Sequence, residues 1–282
     1  MKRFYTLIIG VVVLSLVIAG LLGGCTPAGG TSGLKVVTST SLIGQIVARV
    51  GGDKVEVVNI IPPAQCPGHF DVTPGDIQKL ADADLFFLHG WQGEKFTQEL
   101  ITSASNADLT VVTMNLEGNW MTPPVQQAAT DEITAALSRG DAENGAAYQK
   151  SGAEYRDIIA AKGAEIKSNL AVANLSSVNV LCAEQQAGFV KWAGLNVVAT
   201  FGRPDTMTPQ VVRELVDTGR AADVILVVDN MQSGQDAGAG VAEELGVKRI
   251  ILSNFPGCYE DTETWEKALD YNIRLILEAV SS

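Results

Sequence analysis

Three cysteines and one histidine are the side chains of this sequence that are best suited to binding a metal. Cys66 and His69 lie in a single Cys-Pro-Gly-His run, and Cys182 and Cys258 follow much later in the chain. Thiolates and imidazoles are ligands of Zn²⁺ and of softer ions such as Cu⁺ or Cd²⁺, so these residues can form a four-coordinate Cys₃His set. Manganese prefers oxygen ligands and is disfavoured by the same argument.

Two carboxylates add to this candidate site. Glu184 and Asp229 lie at the ends of predicted strands, where they can ligate an ion directly or orient one of its ligands. Carboxylates at such positions also cap the helices that follow, so both roles stay open. The second histidine, His89, follows an apolar run, and we interpret it as a structural residue that makes hydrogen bonds.

The thiols allow two other interpretations. Cys66 or Cys182 can form a disulfide with Cys258 in an oxidising compartment, which leaves one thiol unpaired. Cys182 alone can serve as a small apolar residue of a buried strand, a common role of free cysteine.

The N-terminal region predicts export. An uncharged apolar block, Leu7 to Gly24, follows two basic residues and ends in Leu-Gly-Gly-Cys, which resembles the lipobox of bacterial-type lipoproteins. We therefore expect a signal peptide over residues 1–24, a lipid on Cys25 and a flexible tether over 25–33; an uncleaved membrane anchor is the alternative. Either interpretation places the folded part outside the cytoplasm, and the lipid would hold it at the outer face of the cytoplasmic membrane.

The charge balance limits the partners. The chain has 20 basic and 32 acidic residues, and loss of the two basic residues of the export segment changes the formal charge from −12 to −14. Nucleic acids and anionic membrane surfaces are polyanions, so neither is expected to bind.

Strands and helices alternate on either side of a helical middle segment. We predict the following strands: 34–40, 55–61, 83–90, 108–114, 178–183, 196–202, 222–230 and 249–255. The strands are nearly continuous apolar runs, which predicts an α/β fold with mainly parallel sheets that are covered on both faces.

The middle segment divides the chain. Residues 143–170 have the composition of one long helix, rich in Ala, Glu and Lys. The expected organisation is an N-terminal lobe over 34–125, a connecting helical segment over 126–174 and a C-terminal lobe over 175–282. Cys66, Cys182 and Cys258 then fall at carboxyl ends of strands, the edge at which parallel α/β lobes bind ligands.

The segment IIPPAQCPGHFDVTPGDIQKLADADLFFLHG, residues 60–90, resembles the metal-binding solute receptors of zinc and manganese ABC transporters. Weaker matches extend over residues 35–280 and include Trp120, Pro123 and Met207-Thr208-Pro209. The resemblance implies two lobes bridged by a rigid helix, a metal ion held between them, and a membrane permease with its ATPase as partners. We expect a monomer without enzymatic activity.

The ligands of that family are largely missing from this sequence. The positions of its histidines fall on Gly68, Gly118 and Ala183, although a shift of one residue brings His69 to the first and Cys182 or Glu184 to the third. The late carboxylate is replaced by Ser253. Because the chain has only two histidines, a three-histidine site is excluded.

Two other functions compete with that of a metal-ion receptor. A thiol hydrolase or transferase would use Cys66 or Cys182 as nucleophile and His69 as base, but no nucleophile elbow is present. A receptor for a chelated metal or another small solute would use a wider cleft, lined by some of the tryptophans: Trp91, Trp120 and Trp192.

Overall fold

The computed structural model describes residues 33–91 and 94–281. The predicted signal peptide, Cys25 and all of the tether except Gly33 lie outside the described residues. Within the described ranges, no helix is both long and apolar enough to cross a membrane.

The first half of the described chain forms a parallel sheet with the strand order β2-β1-β3-β4. Its strands are shorter than predicted: β1 (Leu34–Thr38), β2 (Val55–Asn59), β3 (Leu85–Leu88) and β4 (Thr110–Thr113). The helices between them are α1 (Ser41–Gly51), α2 (Pro74–Ala81) and α3 (Phe96–Ala104). Helix α2 begins with a reciprocal capping box between Thr73 and Asp76, which fixes where the loop after β2 ends.

Both faces of this sheet are covered, as the apolar strands predicted. Val36 and Phe87 point into a large central core, whereas their neighbours Val37 and Phe86 point into a smaller cluster with the buried leucines of α2 and α3. Alternate residues of a strand face opposite sides of the sheet, so a strand buried on both sides must be apolar throughout.

The second half repeats the same strand order, β6-β5-β7-β8, again entirely parallel. Its strands are β5 (Asn179–Ala183), β6 (Asn196–Phe201), β7 (Leu226–Asn230) and β8 (Lys248–Leu252). Two helices of the middle segment, α4 (Pro123–Gly140) and α5 (Gly145–Val172), precede this sheet in the chain. The helices of the second half are α6 (Ala187–Trp192), α7 (Pro209–Ala221), α8 (Met231–Gly234), α9 (Ala239–Leu245) and α10 (Trp265–Val280).

The helical region between β7 and β8 is interrupted after α8. Gly234 has φ +136°, a conformation that favours glycine, and an added Cβ there would clash with the ring of Pro204. The chain therefore turns away after α8 and starts helix α9 only at Ala239.

The middle segment contains two long helices rather than one. Helix α4 (Pro123–Gly140) precedes α5 (Gly145–Val172), and the two run antiparallel, with Pro123 beside Gly163 and Thr134 beside Gly152. At 28 residues, α5 is about 42 Å long.

Helix α5 contacts both halves of the protein. The hydroxyl of Tyr155 donates a hydrogen bond of 2.9 Å to Gln45 on α1, and Lys162 forms an ion pair of 3.0 Å with Asp270 on α10. The central hydrophobic core continues from the first sheet through α4 and α5 to the second sheet. The halves therefore share one core through this helix pair.

Gly152 allows the two central helices to approach closely. A Cβ at this position would lie 2.9 Å from Cγ2 of Thr134 and still closer to its hydroxyl oxygen. We predict that Gly152→Ala lowers the free energy of unfolding by about 1–3 kcal/mol, because overpacking outweighs the better helix propensity of alanine. Urea denaturation of the purified variant measures this change.

Gly145→Ala is the matched control, because a Cβ at Gly145 has no neighbour closer than 3.6 Å. The double variant Gly152→Ala/Thr134→Ala should recover much of the loss. Equal stabilities of Gly152→Ala and Gly145→Ala would contradict this account of the helix contact.

Candidate functional site

A cavity of about 350 Å³ lies where the carboxyl ends of strands from both sheets face each other. Its lining comes from the loops after β3, β4, β5 and β8 and from the first turns of α1 and α6: Leu42, Trp91, Gly118, Asn119, Trp120, Glu184, Gln185, Gly188 and Asn254. This volume lies within the usual range of small-molecule sites, about 300–1,000 Å³.

One wall of the cavity is aromatic. The indole of Trp91 stacks on the imidazole of His89, with ring centroids 3.6 Å apart, and Trp120 meets the same imidazole edge-on at 4.3 Å. Nε2 of His89 lies 2.8 Å from the hydroxyl of Thr40, which agrees with the hydrogen-bonding role expected for His89. The indole N–H of Trp120 is buried and has no hydrogen-bond partner among the described residues.

The opposite part of the cavity is held by two amide side chains and one backbone carbonyl. Nδ2 of Asn119 donates to Oδ1 of Asn254 at 3.0 Å and to the backbone carbonyl of Gln185 at 2.9 Å. Nδ2 of Asn254 donates to the same carbonyl at 3.1 Å. These bonds connect the loop after β4 to two loops of the second half, so the amide groups are fixed across the cavity.

A buried carboxylate lies behind the aromatic wall. Glu94 is only 3% exposed and accepts hydrogen bonds from the hydroxyl of Ser39 and from the backbone N–H of Gly90. Burial raises the pKa of Glu94, and it lowers the pKa of His89 well below the usual 6.5. The imidazole of His89 is therefore neutral at pH 7.

Cys182 lies in the central core and not at the cavity. It is fully buried, and along β5 it faces the same side as Val180, whereas Leu181 and Ala183 face the other. Burial raises the pKa of its thiol to about 12. The structure therefore favours the interpretation of Cys182 as a small apolar residue. The sequence predicted that Cys182 lies at a strand end, but it did not indicate which face of the sheet the side chain takes.

The other predicted ligands lie on loops. Cys66 and Cys258 are half-buried free thiols, and burial raises the pKa of Cys258. His69 is exposed, with Nε2 3.5 Å from the guanidinium of Arg203. No disulfide joins Cys66, Cys182 or Cys258. Among residues 33–91 and 94–281, no group of three His, Cys, Asp or Glu side chains lies close enough to hold a metal ion, so the Cys₃His set is not assembled.

The two predicted carboxylates differ in position. Glu184 lines the cavity, directly after β5. Asp229 is fully buried and accepts hydrogen bonds from the N–H of Gly238 and from Arg249, both at 2.8 Å. Arg249 lies on the neighbouring strand β8, so Asp229 ties β7 to β8 and does not face the cavity.

Sequence reasoning missed most of the polar lining. Asn119 and Asn254 were not singled out, although each is next to a position noted in the family comparison, Gly118 and Ser253. Trp91 and Trp120 line the cavity as the chelate-receptor alternative required. Trp192 does not, because it stacks on Phe189 and lines a separate groove beside α5.

Comparisons with known proteins support the expected resemblance to metal-binding receptors of ABC transporters. Residues 36–279 match the model of the family described as ZnuA, zinc-uptake complex component A, periplasmic. A manganese-binding lipoprotein, MntA of Halalkalibacterium halodurans, is 33% identical over 107 residues, 36% of each chain. The manganese ABC transporter substrate-binding lipoprotein PsaA of Streptococcus mitis is 28% identical over 181 residues, 56% of this chain and 58% of that one. The chain thus spans between about a third and three fifths of these two relatives.

The fold is also found among solved structures. A Cd-bound periplasmic metal-binding protein from Candidatus Liberibacter asiaticus superposes with a TM-score of 0.77 at 17% identity, over 88% of this chain and 99% of that one. The predicted α/β architecture with two parallel sheets is confirmed.

The neutral, buried imidazole of His89 predicts a pH dependence of stability. The unfolded chain takes up a proton at His89 below about pH 6.5, whereas the folded chain does not, so stability falls as the pH drops from 6.5 towards the lowered folded-state pKa. In chemical denaturation, the stability advantage of the wild type over His89→Asn should shrink by up to about 1.4 kcal/mol per pH unit.

The raised pKa of Glu94 makes its own contribution to stability grow as the pH falls, which is opposite to the effect of His89. Because Glu94 is present in both proteins, its contribution cancels in the stability difference between them. A stability difference that stays constant between pH 7 and pH 5 would show that His89 does not titrate as described.

Proposed function

The chain belongs to the ZnuA family of metal-binding substrate receptors of ABC transporters, and from this premise we propose that it captures a transition-metal cargo and delivers it to a membrane permease driven by an ATPase. The family consists of receptors and not of enzymes, which removes the hydrolase alternative. The cargo site that we propose lies between the two halves.

The cavity between the facing strand ends is the observation that carries this proposal. In parallel α/β structures the loops at that edge are the usual ligand-binding elements, and here both sheets present that edge to the same cavity. Two hydrogen bonds also join the two halves. The hydroxyl of Ser41 donates to the backbone carbonyl of Pro256 at 2.7 Å, and the side-chain amide of Gln232 donates to the backbone carbonyl of Pro63 at 2.8 Å.

The proposed cargo is Zn²⁺ or another thiophilic ion. The family description names zinc, whereas MntA and PsaA are named for manganese. The donors that favour the softer ions are Cys66, His69 and Cys258. The loop of Cys66 and His69 contacts the second half of the chain, and the loop of Cys258 contacts the first half. A Cβ on Gly68 would touch Arg203, and one on Gly257 would lie 3.4 Å from Pro63. Binding would draw these three side chains together and release protons from the thiols.

We further propose a location and a state of assembly. Acylation of Cys25 would anchor the receptor to the outer face of the cytoplasmic membrane, near the permease. The receptor would act as a monomer, and its formal charge of −14 after loss of the two basic residues of the export segment suits the capture of cations.

Metal binding to the folded state should stabilise it. With Zn²⁺ at about 100 times its dissociation constant, under reducing conditions, the free energy of unfolding rises by about 2.7 kcal/mol, or about 5–10 °C in Tm. Differential scanning calorimetry of metal-free protein with Zn²⁺, Cd²⁺ or Mn²⁺ measures the shift, with Mg²⁺ as control. Elemental analysis of anaerobically purified protein identifies the metal. Absence of any shift with all three ions would contradict the proposal.

Two cysteine variants separate a ligand role from a packing role. Cys66→Ser/Cys258→Ser should lower Zn²⁺ affinity at least about tenfold in competition titrations, because thiolate donors are lost. Cys182→Ala should instead lower the free energy of unfolding by about 1 kcal/mol, through the cavity it leaves in the core.

If the double variant retains full affinity, the thiolate site is wrong. If Cys182→Ala loses affinity at unchanged stability, Cys182 belongs to the site after all.

A further inference from the structure

The cavity between the two halves is poorly suited to a bare metal ion. Among the residues that the structure describes, no histidine or cysteine lines it, and Glu184 is the single ionisable side chain of the lining. A transition-metal ion bound there would receive one carboxylate from the protein, whereas closed protein sites for such ions supply about four donors. The remaining ligands must come from the solute itself.

Trp120 gives the cavity a second aromatic surface. Its side chain is 2% exposed, and its ring meets the His89 imidazole edge-on, with centroids 4.3 Å apart. The indole nitrogen has almost no accessible surface, so the cavity borders carbon atoms of this ring and not its N–H.

Trp91 supplies a flat surface held in place. One face of its indole is already covered by the buried His89 ring, and Trp91 itself lines the cavity. An indole fixed in this way can stack against a planar ligand or a cation without a further loss of side-chain freedom.

The charge of the lining limits the ligand further. None of the described residues that line the cavity is basic, and the amides of Asn119 and Asn254 are fixed by their bonds to each other and to the backbone carbonyl of Gln185. An anionic complex would meet Glu184 with no compensating positive charge. A neutral or cationic complex would meet a carboxylate and two indoles, which attract it.

We propose that the cavity binds the metal as a complex with a small, planar organic chelator of neutral or positive net charge. In this arrangement the chelator stacks on Trp91 and packs against Trp120, and Glu184 neutralises the positive charge of the complex. This inference rests on the proposed receptor function and identifies the class of its solute.

The experiment compares defined probes by isothermal titration calorimetry. They are Zn²⁺ alone, 2,2′-bipyridine alone, the cationic 1:1 Zn²⁺–bipyridine complex and the anionic Zn²⁺–nitrilotriacetate complex. The cationic complex should bind at least tenfold more tightly than any of the others. The same order is expected for Cys66→Ser/Cys258→Ser, because the cavity contains no thiol.

Matched variants test the individual contacts. Trp91→Leu removes the stacking surface but keeps an apolar side chain, and it should weaken binding of the cationic complex about fivefold. Trp192→Leu is its control, because that indole is also half-buried but lines a separate groove. Glu184→Gln should weaken the cationic complex about fivefold, whereas Asp217→Asn on exposed α7 should not.

If Trp91→Leu fails to fold, Trp91→Phe replaces it, because the smaller ring still removes part of the stacking surface. If Zn²⁺ alone binds as tightly as its bipyridine complex, the inference is overturned while the proposed receptor function stands. If none of the metal-containing probes binds, both fail.

Discussion

Helix α5 packs against α1 of the first half and against α10 of the second, and one hydrophobic core passes through all of these helices. Separate cores would let the halves rotate about a flexible connection, whereas a shared core opens only if buried apolar surface is exposed to water. The distance between the two sheet edges is therefore nearly constant. A receptor built in this way has to capture its solute mainly by movements of loops and side chains.

The cavity lining is compatible with this constraint. Asn119 bonds to Gln185 and Asn254 across the gap between the halves, and Trp91 is held against His89. These groups need little rearrangement before they contact a ligand, so little binding free energy is spent on ordering them. Cys66 and His69 are less restrained: Cys66 is half-buried, and His69 is exposed, with Nε2 3.5 Å from the guanidinium of Arg203.

The sequence predicted much of the fold but less of the site. Continuous apolar strands identified two parallel sheets, since only strands buried on both faces have that composition. The same property concealed the direction of Cys182: in a strand without polar residues, nothing in the pattern shows which face a side chain takes. The sequence pattern did not indicate the ion pair of Asp229, because its partner, Arg249, is on the neighbouring strand, 20 residues away. Asn119 and Asn254 are 135 residues apart, and amides have no characteristic spacing that would reveal such a pair.

The repeated strand order of the two sheets bears on how such a site evolves. Every loop at the carboxyl edge of one sheet has a topological counterpart in the other, and loops of both sets border the same cavity. A donor lost from one half can thus be replaced by substitution at a counterpart position, with no change to the strands or to the shared core. The scaffold can lose histidines, gain amides and indoles, and acquire a new solute while its architecture is inherited unaltered.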